Sequence, residues 1–146
     1  MYASSYQPVI NRLREHSVHL TKNRIVVFKL LSEAKTALSV SVITKQSDVS
    51  LDRISVHRAL RYFLQKGLVE NVPNNKGKAR YILANATQRP VGNNAVKSTY
   101  FVCSCCQFTE IIANPVSIKL NYLPDYQVNR YNLIIEGLCH QCKNKS

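Results

Sequence analysis

The sequence predicts a mixed α/β chain (α+β class) of two small units joined by a linker, and three observations support this. Residues 1–84 show helix-type apolar spacing followed by two strand-type runs around a turn. Residues 98–146 hold short β-type runs between two pairs of cysteines. Residues 85–97, NATQRPVGNNAVK, lack large apolar side chains and contain Pro, Gly and three Asn, which is typical of a linker.

Four helices are expected in the first unit, over residues 5–17, 22–33, 40–46 and 51–66. Thr21 and Ser39 precede the second and third of these and are suited to accept hydrogen bonds from their free N–H groups. Gly67 follows the fourth helix as a C′ residue.

Strands are expected after these helices. Residues 68–72 and 79–83 flank PNNKGK, which has turn chemistry, so they predict a hairpin with a basic tip. In the second unit the runs TYFVC, FTEII and YQVNRYNLIIEG predict a small sheet, and therefore a small α/β module.

The fourth helix has one apolar face and one charged face. At 100° per residue, one sector collects Val56, Ala59, Leu60, Phe63 and Leu64. The opposite sector collects Ile54, Arg58, Arg61 and Gln65, with His57 at its edge. This helix is therefore expected to bury one stripe and to present two arginines to solvent.

The charge of the chain is strongly basic and uneven. It has 20 Lys and Arg against 8 Asp and Glu, a net charge of +12. Residues 1–84 hold 14 basic and 5 acidic residues, a net of +9, whereas residues 85–146 hold 6 and 3, a net of +3. A strongly basic half of a chain, such as residues 1–84, most often binds nucleic acid, because phosphate attracts Lys and Arg. The alternative is that the charge serves solubility alone.

Among the predicted elements, three helices, the last of them basic, are followed by a basic hairpin. This is the element order of a winged helix. In this arrangement the last helix enters the major groove of DNA and its outward side chains meet base edges. The predicted DNA contacts are Lys22, Arg24, Arg53, Ser55, His57, Arg58, Arg61, Lys76, Lys78 and Arg80. Ile54 offers an apolar contact to a thymine methyl group.

The cysteines form two C-x-x-C pairs, Cys103 with Cys106 and Cys139 with Cys142. Four thiolates at this spacing suit one tetrahedral zinc ion with no open position, so the zinc is expected to be structural. Cys105 is left over as a non-ligand. The alternatives are five ordinary reduced cysteines or a redox pair. The matched pairs at opposite ends of a β-rich unit disfavour the redox pair.

Other classes of protein are disfavoured. The N-terminus lacks the apolar core of a signal peptide, and no apolar run is long enough to cross a bilayer, so we expect a cytoplasmic protein without a membrane partner. No paired carboxylates, nucleophile with a partner base, or glycine-rich phosphate loop is evident, which argues against an enzyme.

From about Leu20 to Cys142 the chain resembles the ferric uptake regulator family of metal-responsive repressors. TKNR at 21–24 is similar to that family's T-x-x-R, and SVHR at 55–58 to its recognition-helix T-V-Y-R. GLV at 67–69, the wing KGKARYIL and both cysteine pairs follow in the family's order.

The resemblance implies a homodimeric repressor that binds a pseudo-palindromic operator on double-stranded DNA. The C-terminal module, at residues of roughly 100–136, would form the dimer surface. The four cysteines would hold the structural zinc.

The chain departs from the family at its histidine-rich regulatory metal site. Residues 97–100 read Lys-Ser-Thr-Tyr, position 131 is Tyr, and residues 37–39 read Ala-Leu-Ser. These side chains cannot replace nitrogen ligands. The regulator is then either constitutive or controlled otherwise, through Cys105 oxidation, zinc loss, or a new site at His16 and His19. A zinc-stabilised protein-interaction module that no longer reads DNA is the alternative function.

Overall fold

The computed structural model describes residues 4–72, 77–84, 96–112 and 123–145. The chain divides into two compact units, Met1–Ala84 and Asn85–Ser146, which are treated separately below. Within the described ranges, no helix has the length and apolar character needed to cross a membrane.

The first unit is helical with a small sheet. Its elements are a 3-10 turn at Ser4–Tyr6, α1 at Gln7–Glu15, α2 at Lys22–Glu33, β1 at Leu38–Ser39, α3 at Val40–Gln46, α4 at Arg53–Gln65, β2 at Val69–Val72 and β3 at Arg80–Leu83. The helices α2 and α3 have the predicted bounds. The first helix ends at Glu15 rather than residue 17, because the chain turns at Ser17, which has a φ of 52°.

Side-chain caps fix where three of these helices begin. The Thr21 Oγ1 atom accepts a hydrogen bond from the Arg24 N–H at 3.3 Å, and the Ser39 Oγ atom accepts one from the Val42 N–H at 3.4 Å. The Asp52 Oδ1 atom accepts one from the Ser55 N–H at 2.7 Å. This last cap was not predicted, and it makes α4 begin at Arg53 instead of residue 51.

The core of the first unit is formed by the apolar faces of its helices. Phe28 of α2 and Phe63 of α4 are fully buried and meet edge to face, with ring centroids 5.4 Å apart. Val56, Ala59 and Leu60 are buried beside Phe63, as the wheel predicted. Leu64 was predicted to be inside but is 37 % exposed. It lies about 80° from Val56 around the helix, at the rim of the buried stripe.

The sheet of the first unit has the strand order β1-β3-β2, and both pairings are antiparallel. Strands β2 and β3 form the predicted hairpin, with Val69 opposite Leu83 and Val72 opposite Arg80. Strand β1 was not predicted, because only two residues of it pair with β3 and such a short run has no periodicity.

The second unit contains β4 at Val96–Cys103, β5 at Thr109–Ile111, β6 at Arg130–Gly137 and a short helix, α5, at His140–Lys143. The strand order is β5-β4-β6, with β4 antiparallel to β5 and parallel to β6. Strand β4 begins at Val96, two residues inside the segment predicted as linker. Residues 126–129 were predicted to be strand but precede β6 without regular structure.

Candidate metal centre and nucleic-acid interface

The two cysteine pairs meet because β4 and β6 run parallel and end side by side. Cys103, the last residue of β4, lies opposite Gly137, the last residue of β6. Cys106 follows Cys103 by three residues, and Cys139 and Cys142 follow Gly137 by two and five residues. The long separation of the pairs in sequence is thus spanned by neighbouring strands of one sheet.

The four sulfurs of Cys103, Cys106, Cys139 and Cys142 all lie within 4.8 Å of one another. The Cys106 and Cys139 Sγ atoms are 3.7 Å apart. A tetrahedron with zinc–sulfur bonds of about 2.3 Å has edges of about 3.8 Å, so this spacing suits zinc. Cys105 is exposed and does not belong to the cluster.

Hydrogen bonds between the two segments hold the cluster in shape. The Cys139 N–H donates to the Cys103 Sγ atom at 3.4 Å. The Ser104 N–H and hydroxyl both donate to the Gly137 carbonyl, at 2.8 and 3.1 Å. An amide-to-sulfur hydrogen bond of this kind stabilises thiolate, and the bonds between the two segments orient the cysteines.

The electrostatics of the cluster also favour a cation. Hydrogen bonds from the backbone N–H groups of Cys106 and Cys139 lower the pKa of the Cys103 thiol to about 6. The pKa of Cys142 is raised, first by the hydrogen bond between its thiol and the Cys139 sulfur, then by the hydrogen bond with the Cys106 sulfur and by burial. A divalent cation bound by these sulfurs would stabilise their thiolate forms. The donor set fits zinc, and the four thiols leave it no open position.

Helix α4 carries five of the ten side chains that were predicted to contact DNA. Arg53, His57, Arg58 and Arg61 are all exposed. Ser55 is half-buried, and its hydroxyl donates to the Asp52 Oδ2 atom at 2.8 Å. The Ser55 N–H and hydroxyl together lower the pKa of the Asp52 carboxyl, so this cap is ionised at neutral pH.

Arg24 occupies a different environment from the α4 arginines. Its guanidinium lies over the Tyr62 ring, 3.7 Å from the centroid, and its Nη1 donates to the His19 carbonyl at 2.7 Å. Arg24 therefore ties the start of α2 to α4, while its neighbour Lys22 is exposed. Sequence reasoning placed Arg24 in a motif but gave no signal for this stacking partner.

On the wing, Lys78 is exposed and Arg80, at the start of β3, is half-buried. Lys76 lies outside the described residues. The strands β2 and β3 follow α4 in the chain and belong to the same compact unit as α4.

No protein-family model matches the chain, and no curated protein matches it. Solved structures do. A zinc uptake regulator in complex with zinc and DNA superposes with a TM-score of 0.68 at 18 % identity, over 99 % of this chain and 98 % of the other. The holo form of XcZur superposes with a TM-score of 0.64 at 16 % identity, over 95 % of this chain and 99 % of the other. The Helicobacter pylori ferric uptake regulator superposes with a TM-score of 0.58 at 18 % identity, over 94 % of this chain and 93 % of the other.

The chain has the fold of the ferric and zinc uptake regulators. The coverage is nearly complete in both directions, so the likeness extends over the helical unit and the cysteine-bearing unit of the chain. At these identities the likeness concerns the fold.

Within this uptake-regulator fold, the described residues hold one group of three or more possible metal ligands, the four cysteines. His16 is half-buried and His19 exposed, and neither belongs to such a group there. Tyr131, where the resemblance implies a histidine, is half-buried on β6, and Tyr100 is fully buried on β4.

Proposed function

We propose that the protein is a sequence-specific DNA-binding transcription regulator of the ferric uptake regulator family, acting as a dimeric repressor with one structural zinc per chain. The observation that carries the proposal is the outward face of α4. Arg58 and Arg61 are exposed opposite the stripe that anchors this helix in the core, His57 is exposed at the edge of that face, and Arg53 is exposed in the first turn. The chain that displays them has the uptake-regulator fold along nearly its whole length.

The chemistry of this face suits duplex DNA. An α-helix fits the major groove, where arginine reads guanine through two hydrogen bonds and cationic side chains neutralise phosphates. We assign base contacts to His57 and Arg58, which lie in the first half of α4. We assign phosphate contacts to Lys22 and to the wing residues Lys76, Lys78 and Arg80.

Arg24 has a positioning role in this proposal. Its stacking on Tyr62 and its bond to the His19 carbonyl hold the guanidinium against α4 and the residues before α2. We infer that it fixes the start of α2 against α4, so that both elements meet the DNA backbone in register.

The zinc would be held by Cys103, Cys106, Cys139 and Cys142 and would join the ends of β4 and β6. A closed four-thiolate site supplies folding free energy and no catalysis. This agrees with a regulator rather than an enzyme.

The second unit would provide the dimer contact. Among the described strands, β6 pairs on one side alone, with β4. Ile134, Ile135 and Leu138, on and just after β6, are 37 to 47 % exposed. An apolar strand edge of this kind is suited to pair with a second copy about a two-fold axis. Two α4 helices would then face two half-sites of a pseudo-palindromic operator.

The regulator would lack the family's usual metal switch. The positions implied to carry its histidines are occupied by Ala37, Tyr100 and Tyr131, and no histidine belongs to a ligand group within the described ranges. Repression would therefore not depend on added divalent metal beyond the structural zinc.

The test is affinity for a duplex selected by the protein from a random library. Arg58→Ala should weaken binding to the selected duplex by about 1–3 kcal/mol and change binding to a scrambled duplex little. Lys143→Ala, an exposed change on α5, is the matched control and should leave both affinities unchanged. Equal losses on both duplexes would refute a base-reading role for Arg58.

A zinc-stabilised protein-interaction module is the second candidate. It is favoured by the position of Ser55, whose hydroxyl is bonded to Asp52 rather than directed outward for DNA. On this alternative no duplex would be enriched over the random library.

A further inference from the structure

Ile54 is an apolar side chain in the middle of a cationic surface. It is 64 % exposed, the most exposed large apolar side chain of the first unit within the described residues. It takes no part in the hydrophobic core there. Its side chain is therefore accessible to a binding partner.

The position of Ile54 on α4 is central to the outward face. It lies about 160° around the helix from Val56, the fully buried anchor. His57 and Arg58 follow it by three and four residues, so they project from the same face one turn later. Ile54 is also the second residue of α4, and in helix-turn-helix docking the first residues of the recognition helix contact base edges.

The side chain is held ready for contact before any ligand binds. The Asp52 cap fixes the first turn of α4 through two hydrogen bonds from Ser55, at 2.7 and 2.8 Å. Isoleucine is branched at Cβ, so a helix leaves it one strongly preferred χ1 rotamer. Little side-chain entropy is therefore lost on contact.

Charge decides between the possible partners of this apolar spot. Arg58 and Arg61 project from the same side of α4 as Ile54, one and two turns later, and this cationic face would repel a second copy of itself. A DNA duplex brings phosphates to the arginines and, in the major groove, one apolar group among the four bases, the C5-methyl of thymine.

We propose that Ile54 reads the methyl group of one thymine in each half-site of the operator. The inference rests on the proposed function and adds a base preference to it. The other three bases present no methyl group at that position and would leave the Ile54 side chain against polar edges.

The experiment removes the methyl group alone. A duplex selected by the wild-type protein is remade with each thymine replaced in turn by deoxyuridine, and its affinity is measured for wild type, Ile54→Val and Ile54→Ala. One thymine per half-site should matter, and its replacement should weaken wild-type binding about fourfold. Ile54→Ala should bind the two duplexes equally, and Ile54→Val should fall between.

The outcomes separate this inference from the proposed function. If every replacement affects the affinity of wild type and of Ile54→Ala alike, Ile54 reads no methyl group and the inference fails. If wild type still prefers the selected duplex in that case, the proposed function stands. If wild type enriches no duplex, the proposed function fails and the inference with it. Thermal unfolding of Ile54→Ala should match wild type, because the side chain is exposed.

Discussion

Single residues decide how α4 is presented, and Arg24 is the clearest example. This residue of the T-x-x-R motif places its guanidinium on the Tyr62 ring and its Nη1 on the His19 carbonyl. A planar guanidinium can do both at once, whereas a lysine ammonium cannot stack flat on a ring. The residue therefore links α2 to α4 through contacts that require arginine.

Arg24→Lys should lower the free energy of unfolding by about 1 kcal/mol, because the stacking and one directed hydrogen bond are lost while the charge is kept. Urea denaturation measures the change. The exposed neighbour supplies the control, since Lys22→Ala should change stability by less than about 0.5 kcal/mol. In a Tyr62→Leu background Arg24→Lys should cost clearly less, and equal costs in both backgrounds would exclude the stacking contact.

At the scale of elements, the parallel pair β4 and β6 determines the metal centre. It sets Cys103 beside Gly137 and so brings both cysteine pairs to one end of the sheet. The turn after β4 depends on the Cys103 carbonyl, which accepts from the Gln107 N–H at 2.9 Å. Gln107 itself has a φ of 63°, the left-handed conformation needed to close that turn.

Two neighbouring cysteines give a matched test of the centre. Cys106→Ser should abolish the retention of zinc and lower the unfolding temperature of the second unit, because a structural zinc contributes folding free energy. Cys105→Ser should keep one zinc per chain, since this exposed thiol lies outside the cluster. Elemental analysis after dialysis measures both. Loss of zinc from the Cys105 variant alone would overturn the assignment of ligands.

The edge of β6 gives a second test at this scale. Ile134 and Ile135 point to opposite faces of the sheet, and both are exposed. If β6 forms the dimer contact, Ile134→Glu or Ile135→Glu should raise the dimer dissociation constant at least about tenfold, by burying a charge. Sedimentation equilibrium reports the change, with exposed Lys143→Glu as the control. Unaltered dimers in both isoleucine variants would place the contact elsewhere.

For the whole molecule, the sequence predicted the fold well where local patterns decide it. The caps at Thr21 and Ser39 fixed α2 and α3, and the apolar stripe around Val56 fixed the buried face of α4. Turn chemistry located the wing hairpin, and the C-x-x-C spacing located the metal centre.

Features that depend on contacts distant in sequence were not predicted. Strand β1 exists because β3 pairs with it, and the pairing of β4 with β6 is parallel, which no local pattern specifies. Tyr62 as the partner of Arg24 is likewise a contact between helices. The helix α5 has four residues, too few for a periodic signal.

The central claim for the whole molecule is that the basic face of α4 binds duplex DNA with preference for a sequence. The most direct measurement is the affinity of the zinc-loaded protein for its selected duplex and for a scrambled duplex across a range of salt concentrations. The account predicts that the logarithm of affinity falls steeply and linearly with the logarithm of salt concentration, because several phosphates are neutralised, and that the selected duplex binds more tightly throughout. An affinity that is independent of salt, with no preference between the duplexes, would contradict it.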